Sequence, residues 1–405
     1  MSIVLNRPYR FVPPHRGNWW PSFIQRFRIV DHYLRIKEGV HSFECRNLEA
    51  FQQALSNEKG ILLTPNHCRY ADPLAMGWPA RLAKTHVYAM ASWHLFNKSW
   101  LDGFAIRKMG GFSIHREASD RQALETAIEI LASGERPLIL FPEGTTSRMN
   151  DSLKELLDGV AFIARAAARK SAKATGRCVV MLPIAIKYLC KVDYRPWGNT
   201  QAAQLEDHLG IRRGDSNCLI DRVQRLVEHW IAKQERNVFG DVRTGGTRER
   251  RVQLANELLI QIQDQLDLQN DAQHFSDRIR SVRSQISTKR FSEKSADLET
   301  LASASKMALL SQELMTFNDD YLTSEAVTDT RVIETIQRLQ ESCYGKAKQD
   351  IPLHAVMQFG DEIQVPSKKA QRDQPDPLLD QIRTQLKTML SALSQEANII
   401  GSDLS

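Results

Sequence analysis

The stretch Ile61-Leu-Leu-Thr-Pro-Asn-His-Cys-Arg-Tyr-Ala-Asp-Pro-Leu-Ala-Met-Gly-Trp78 reads as a strand, a loop and a helix. The apolar run Ile61 to Leu63 suits a buried strand, and Pro65 and Asn66 break it. Asp72-Pro73 reads as a helix start, with a side-chain acceptor at the cap and proline in the first turn. His67 and Asp72 thereby share one short loop beyond a strand end, which in an open α/β sheet is where ligands bind. A histidine beside a carboxylate has its tautomer fixed and its cationic form supported, as a general base near neutral pH requires. Taken alone, the stretch is served as well by Asp72 acting only as a cap.

Two later stretches weigh against that plainer reading. In Met109-Gly-Gly-Phe-Ser-Ile-His-Arg116 the glycines allow a turn, Phe112 and Ile114 alternate as in a strand, and Arg116 stands at the exit. An arginine there can grip a phosphate through two parallel hydrogen bonds, although by itself it is more simply a surface residue. Ser119-Asp120 then caps a helix with Ala123, Ala127, Ile128 and Leu131 on one face. The next strand, Pro137 to Phe141, runs into Pro142-Glu-Gly-Thr-Thr-Ser-Arg148, a turn that offers backbone N–H groups and a cation to an anion. A helix is expected over 153–172 and a strand over 179–188.

Taken together, these segments resemble the glycerolipid acyltransferase family typified by 1-acylglycerol-3-phosphate acyltransferases. Asn66 to Asp72 is similar to the family's H-x4-D motif, Gly111 to Arg116 to its second block, Phe141 to Arg148 to its third, and Met181 to Tyr188 to the proline-containing strand of its fourth. The resemblance covers roughly residues 40–195. It implies an α/β fold with a mixed, mostly parallel sheet flanked by helices, and transfer of a fatty acyl group from acyl-CoA or an acyl carrier protein to a hydroxyl of a lysophospholipid or glycerol-phosphate-type acceptor. It implies His67 as the base and Asp72 as its partner. Arg116, Glu143 and Gly144 would bind the acceptor, with Thr145 and Arg148 beside them. Many lysophosphatidate enzymes carry arginine directly after Glu-Gly-Thr; this chain has Thr146 there, and Arg148 lies close enough to substitute. Apart from the acyl thioester no cofactor is expected, and no metal.

The chemistry fits these residues independently. A thioester is already activated, so the acceptor hydroxyl attacks once His67 removes its proton, and no enzyme nucleophile is needed. A serine hydrolase is disfavoured because no G-x-S-x-G elbow is present.

At 405 residues, with 42% hydrophobic and 25% charged, the composition is ordinary for a globular protein, and a net charge of +6 does not imply nucleic acid. Six scattered cysteines without a C-x-x-C pair suggest free thiols in a reducing compartment. No apolar run of spanning length and no signal-peptide core is seen, so the expectation is a cytoplasmic protein. Residues 1–39 interleave Trp19, Trp20, Phe23, Phe27 and Tyr33 with Arg16, Arg26, Arg28, Arg35 and Lys37. That mixture suits peripheral attachment to the cytoplasmic face of an anionic membrane, and equally an amphipathic helix packed on the protein's own core.

The organisation expected is therefore an amphipathic segment (1–39), the main acyltransferase part (40–195), a helical insertion without a chemical motif (196–350), closing strands and helix (351–396), and a tail (397–405). Leu353 to Val365 reads as strand, Gly-Asp turn, strand. The basic stretch Asp241 to Arg251 reads as a solvated loop. A second functional reading is a non-catalytic, membrane-associated scaffold on a degenerate acyltransferase fold.

Overall fold

Val179–Cys190 is a strand buried along its whole length, because its near-continuous apolar run is paired on both edges and covered on both faces. We describe it in a computed structural model, which describes all residues except 1, 2, 4, 118, 213–217, 270, 271, 273, 293–296, 324–326, 368–375 and 401–405. The strands are β1 (Val40–Arg46), β2 (Gly60–Pro65), β3 (Tyr88–Ser92), β4 (Gly111–Ile114), β5 (Leu138–Ile139), β6 (Val179–Cys190), β7 (Leu353–Phe359) and β8 (Ile363–Gln364). They form one sheet in the order β1-β7-β6-β2-β5-β3-β4, with β8 also on β6. Every pairing is parallel except those of β7 and β8 with β6. The architecture is a mixed, mostly parallel α/β sheet flanked by helices.

Alternation along β2 divides the core. Ile61 and Leu63 face a cluster with Phe51, Met76 and Trp78, whereas Leu62 faces the helices Arg121–Ser133, Gly159–Ala174 and Pro377–Ser394. The helices after β6 do not stand apart. Leu226, Trp230, Leu258 and Ile336 belong to the same cluster as Ile61, so these helices roof one face of the sheet, and a smaller cluster holds the helices Phe275–Ser292 and Leu298–Leu314 to Thr247–Leu266.

Residues 353–365 are strand, turn and strand as expected, but β7 and β8 do not pair with each other; both run antiparallel to β6 and follow one another along its edge. The break falls opposite Pro183, whose carbonyl accepts from Gly360 N at 2.8 Å. Two local expectations are corrected. The helix expected from 153 begins only at Gly159, because the backbone N–H groups of Lys154 and Leu157 are committed to Glu143 and to the Pro142 carbonyl. The helix after His67 is split into Asp72–Ala75 and Gly77–Leu82, and no side chain caps its start.

Candidate active site

Each functional side chain sits just beyond the C-terminal end of a parallel strand. β2 ends at Pro65, and two asparagines then extend the ladder where backbone pairing stops. Asn66 exchanges hydrogen bonds with the backbone of Ile186 (2.6 and 3.1 Å), and Asn150 does the same with Tyr188 (2.8 and 2.7 Å). Both amides are buried, so their four polar contacts fix the loops that carry them against β6.

His67 Nδ1 lies 2.8 Å from Asp72 Oδ2. A carboxylate only accepts, so Nδ1 carries the hydrogen and Nε2 presents a lone pair. Asp72 is fully buried and does not cap a helix as the sequence suggested. Its Oδ2 also accepts from Arg69 N (2.8 Å), and its Oδ1 accepts from the Tyr188 hydroxyl (2.7 Å). These three donors, with the Cys68 thiol at 3.8 Å from Oδ1 as a weaker fourth, hold the carboxylate in place. Burial, reinforced by the Asp72 charge, holds the Tyr188 phenol well above its usual range, so it stays a donor. The Phe141 ring stacks on His67 at 4.2 Å between centroids, and the Thr146 hydroxyl stands 3.1 Å from Nε2.

The third motif wraps around this pair. Glu143 is buried and accepts from His67 N (2.6 Å) and Lys154 N (2.9 Å), so it ties two loops together. Burial pushes its carboxyl up to about 7, against the opposing pull of those two donors and the Lys154 ammonium. Gly144 has φ of +69°, a conformation glycine adopts without penalty, and a Cβ there would meet the Leu157 side chain at 2.4 Å. Ser147 N donates to the His67 carbonyl at 2.6 Å. Thr145 lies at the turn, its hydroxyl 3.4 Å from the Lys154 ammonium.

The two arginines differ. Arg148 is paired with Glu341 of the helix Asp329–Tyr344, and its guanidinium lies over the Tyr70 ring at 4.5 Å. Arg116, two residues past β4, is solvent-accessible and makes no hydrogen bond or ion pair with another described residue. Crowding by protein atoms lowers its pKa to about 10, with Glu117 opposing and Arg283 assisting. β4 is separated from β2 by β3 and β5, so Arg116 stands along the same sheet edge as His67 but at the far end of the site.

Residues 42–187, from β1 through most of β6, match the family model described as Acyltransferase. This segment is similar to the acyltransferase family. A comparison of the chain with curated proteins found no match. The matched segment contains His67, Asp72, Arg116 and the whole 141–148 turn, and stops before β7, the strand that completes the sheet between β1 and β6. Sequence reasoning missed Tyr188, Asn150 and Lys154. Tyr188 and Asn150 lie far from His67 in sequence and are brought to it only by β6. Lys154 lay in a stretch read as helix. Asn66, directly before the histidine, reads in the sequence only as a strand breaker. Among the described residues no group of three or more His, Cys, Asp or Glu is placed to hold a metal ion, and no helix is long and apolar enough to cross a membrane.

Proposed function

We propose that the protein moves an acyl group from a thioester, carried by coenzyme A or an acyl carrier protein, to a hydroxyl of a lysophospholipid or glycerol-phosphate-type acceptor. The observation that carries this reading is the His67–Asp72 pair with the Nε2 lone pair facing a hydroxyl, that of Thr146, whose place the acceptor hydroxyl would take. The acceptor hydroxyl gives its proton to Nε2 and its oxygen bonds to the thioester carbonyl carbon. The tetrahedral intermediate collapses with cleavage of the carbon–sulfur bond, and the thiolate takes the proton back from the imidazolium. Asp72 stays ionised throughout and supports the imidazolium charge. Arg116, accessible and without a hydrogen-bond or ion-pair partner among the described residues, suits an anionic part of the acceptor.

A membrane surface is the partner we assign to the outer aromatic face. Phe27, Phe23, Trp19, Trp20, Phe104 and Trp100 form a continuous ladder of ring contacts, each between 4.7 and 5.5 Å. Trp19, Phe27 and Trp100 are 64%, 65% and 80% exposed. Arg26, Arg28, Arg35, Lys37, Lys98 and Arg107 are exposed around it, which suits anionic headgroups and a peripheral, cytoplasmic-face location.

The decisive test incubates the protein with acyl thioesters and a panel of lyso-lipids and reads the products by mass spectrometry. New diacyl product that disappears in His67→Ala is expected. A folded wild type that transfers to no acceptor from either donor would favour the scaffold reading instead.

A further inference from the structure

The third motif presents its cations unequally. Arg148 is engaged by Glu341 and by the Tyr70 ring, so its charge is directed toward the helical roof. Lys154, eleven residues after Glu143, does the reverse. Its backbone N–H is held by Glu143 Oε2 at 2.9 Å, which fixes where the side chain starts. Its ammonium then folds back over the turn, 3.0 Å from the Thr146 carbonyl and 3.4 Å from Thr145 Oγ1. Those are two acceptors for a group with three N–H donors, and no carboxylate among the described residues forms an ion pair with it. Glu143, the nearest acid, spends both oxygens on backbone donors.

Thr146 links this ammonium to the base: its carbonyl receives Lys154 Nζ, and its hydroxyl faces His67 Nε2 at 3.1 Å. An acceptor whose reacting hydroxyl sits at Nε2 therefore has, within the reach of one glycerol unit, a cation with a donor to spare. We propose that Lys154 is a specificity-determining residue that binds the anionic headgroup of the acceptor, a phosphate on the glycerol unit, in place of Arg148. This rests on the acyl-transfer reading of the same site. Desolvation lowers the Lys154 pKa, and Arg338 adds to this, while Glu143 opposes it; a partly dehydrated ammonium of this kind gains from an incoming phosphate.

Two measurements separate this inference from the reading beneath it. In turnover, Lys154→Ala should lower kcat/KM for a lysophosphatidate by about 10- to 100-fold, the scale of one lost hydrogen bond between charged groups. The change should lie in acceptor KM, with kcat toward an uncharged monoacylglycerol and the KM for acyl-CoA preserved, and Lys154→Arg should restore part of the loss. A loss seen in the acyl-CoA KM instead would assign the cation to the phosphates of the donor and overturn the proposal. So would an equal loss with charged and uncharged acceptors, which marks a structural role. In binding, a short-chain lysophosphatidate should bind His67→Ala more tightly than it binds His67→Ala/Lys154→Ala. Equal affinities overturn the assignment even if no turnover is found, and unequal affinities uphold it there.

Discussion

Arg148 and Glu341 form an ion pair that joins the anion-type turn of the third motif to the helix Asp329–Tyr344. It is one of several such ties. Arg69, in the His67 loop, donates to Gln337 at 2.6 Å, Asn150 N donates to Glu334 at 3.0 Å, and Arg283 donates to Glu117, next to Arg116, at 2.9 Å. Every motif loop is thus gripped from above by the helices that follow β6.

Breaking that first pair from one side should be costly. Both side chains are mostly buried, so Glu341→Ala leaves a guanidinium without its counter-charge, and a loss of about 3 kcal/mol or less is expected. Arg148→Met/Glu341→Met should recover much of it. Urea unfolding of the wild type, Glu341→Ala and the double variant measures this, and a single variant no less stable than the double would show that the pair contributes nothing.

Asp72→Asn should slow transfer by on the order of 100-fold or more, because an amide can turn its NH2 toward Nδ1 and favour the wrong tautomer. Tyr188→Phe removes a single donor from Asp72 Oδ1 and should cost about 1 to 3 kcal/mol, divided between stability and rate. Steady-state kinetics beside thermal unfolding would separate the two. A Tyr188→Phe enzyme as slow as Asp72→Asn would contradict the ordering.

Glu143 makes stability depend on pH with a definite sign. Its carboxyl is raised from the ordinary 4.5 to about 7 in the fold, so the folded state holds the proton more tightly than the unfolded one. Its contribution is fully present below about 4.5 and is lost as the pH rises to about 7. Glu143→Gln, which cannot titrate, should start lower because its NH2 opposes one backbone donor, yet show a flatter profile over that window. Parallel unfolding profiles for the two proteins would reject the assignment.

The aromatic ladder should anchor the protein to a membrane, and its basic rim should make that attachment sensitive to salt. Trp19→Ala/Phe27→Ala/Trp100→Ala is expected to weaken sedimentation with phosphatidylserine vesicles, and rising ionic strength should weaken the wild type as the basic rim is screened. Unchanged binding in the triple variant would return these rings to a role within the protein.

How much of this was legible depended on distance along the chain. The His67 loop, the Glu143 turn and Arg116 could be read because each motif is local, with its strand and its breaker adjacent in sequence. Asp72 was readable as a partner of His67 but was misread as a cap, since a cap and a buried acceptor look alike until Tyr188 is known to donate to it. Lys154 was hidden by good helical spacing. Leu156 and Val160 do face the core, yet the Leu157 N–H, which a helix begun at 153 would turn back to residue 153, goes to the Pro142 carbonyl. The turn at Gly360 was legible between its two strands, but sequence cannot show that both strands have the same neighbour, β6. The helical roof had clear periodicity, but its contacts with the motif loops depend on pairs such as Arg69 and Gln337, far apart in sequence.

The place of β7 has a consequence for how the molecule is assembled. Among the described residues β1 joins the sheet through β7 alone, and the pairing of Val40 with Leu353 closes a loop that spans most of the chain. During synthesis β1 emerges early and waits, its edge unsatisfied, until the helical roof has been made and β7 arrives to bridge it to β6. Closing so long a loop is slow, and an unpaired strand edge is prone to wrong partners in the meantime. β7, made long after β1, thus sets the moment at which β1 is secured.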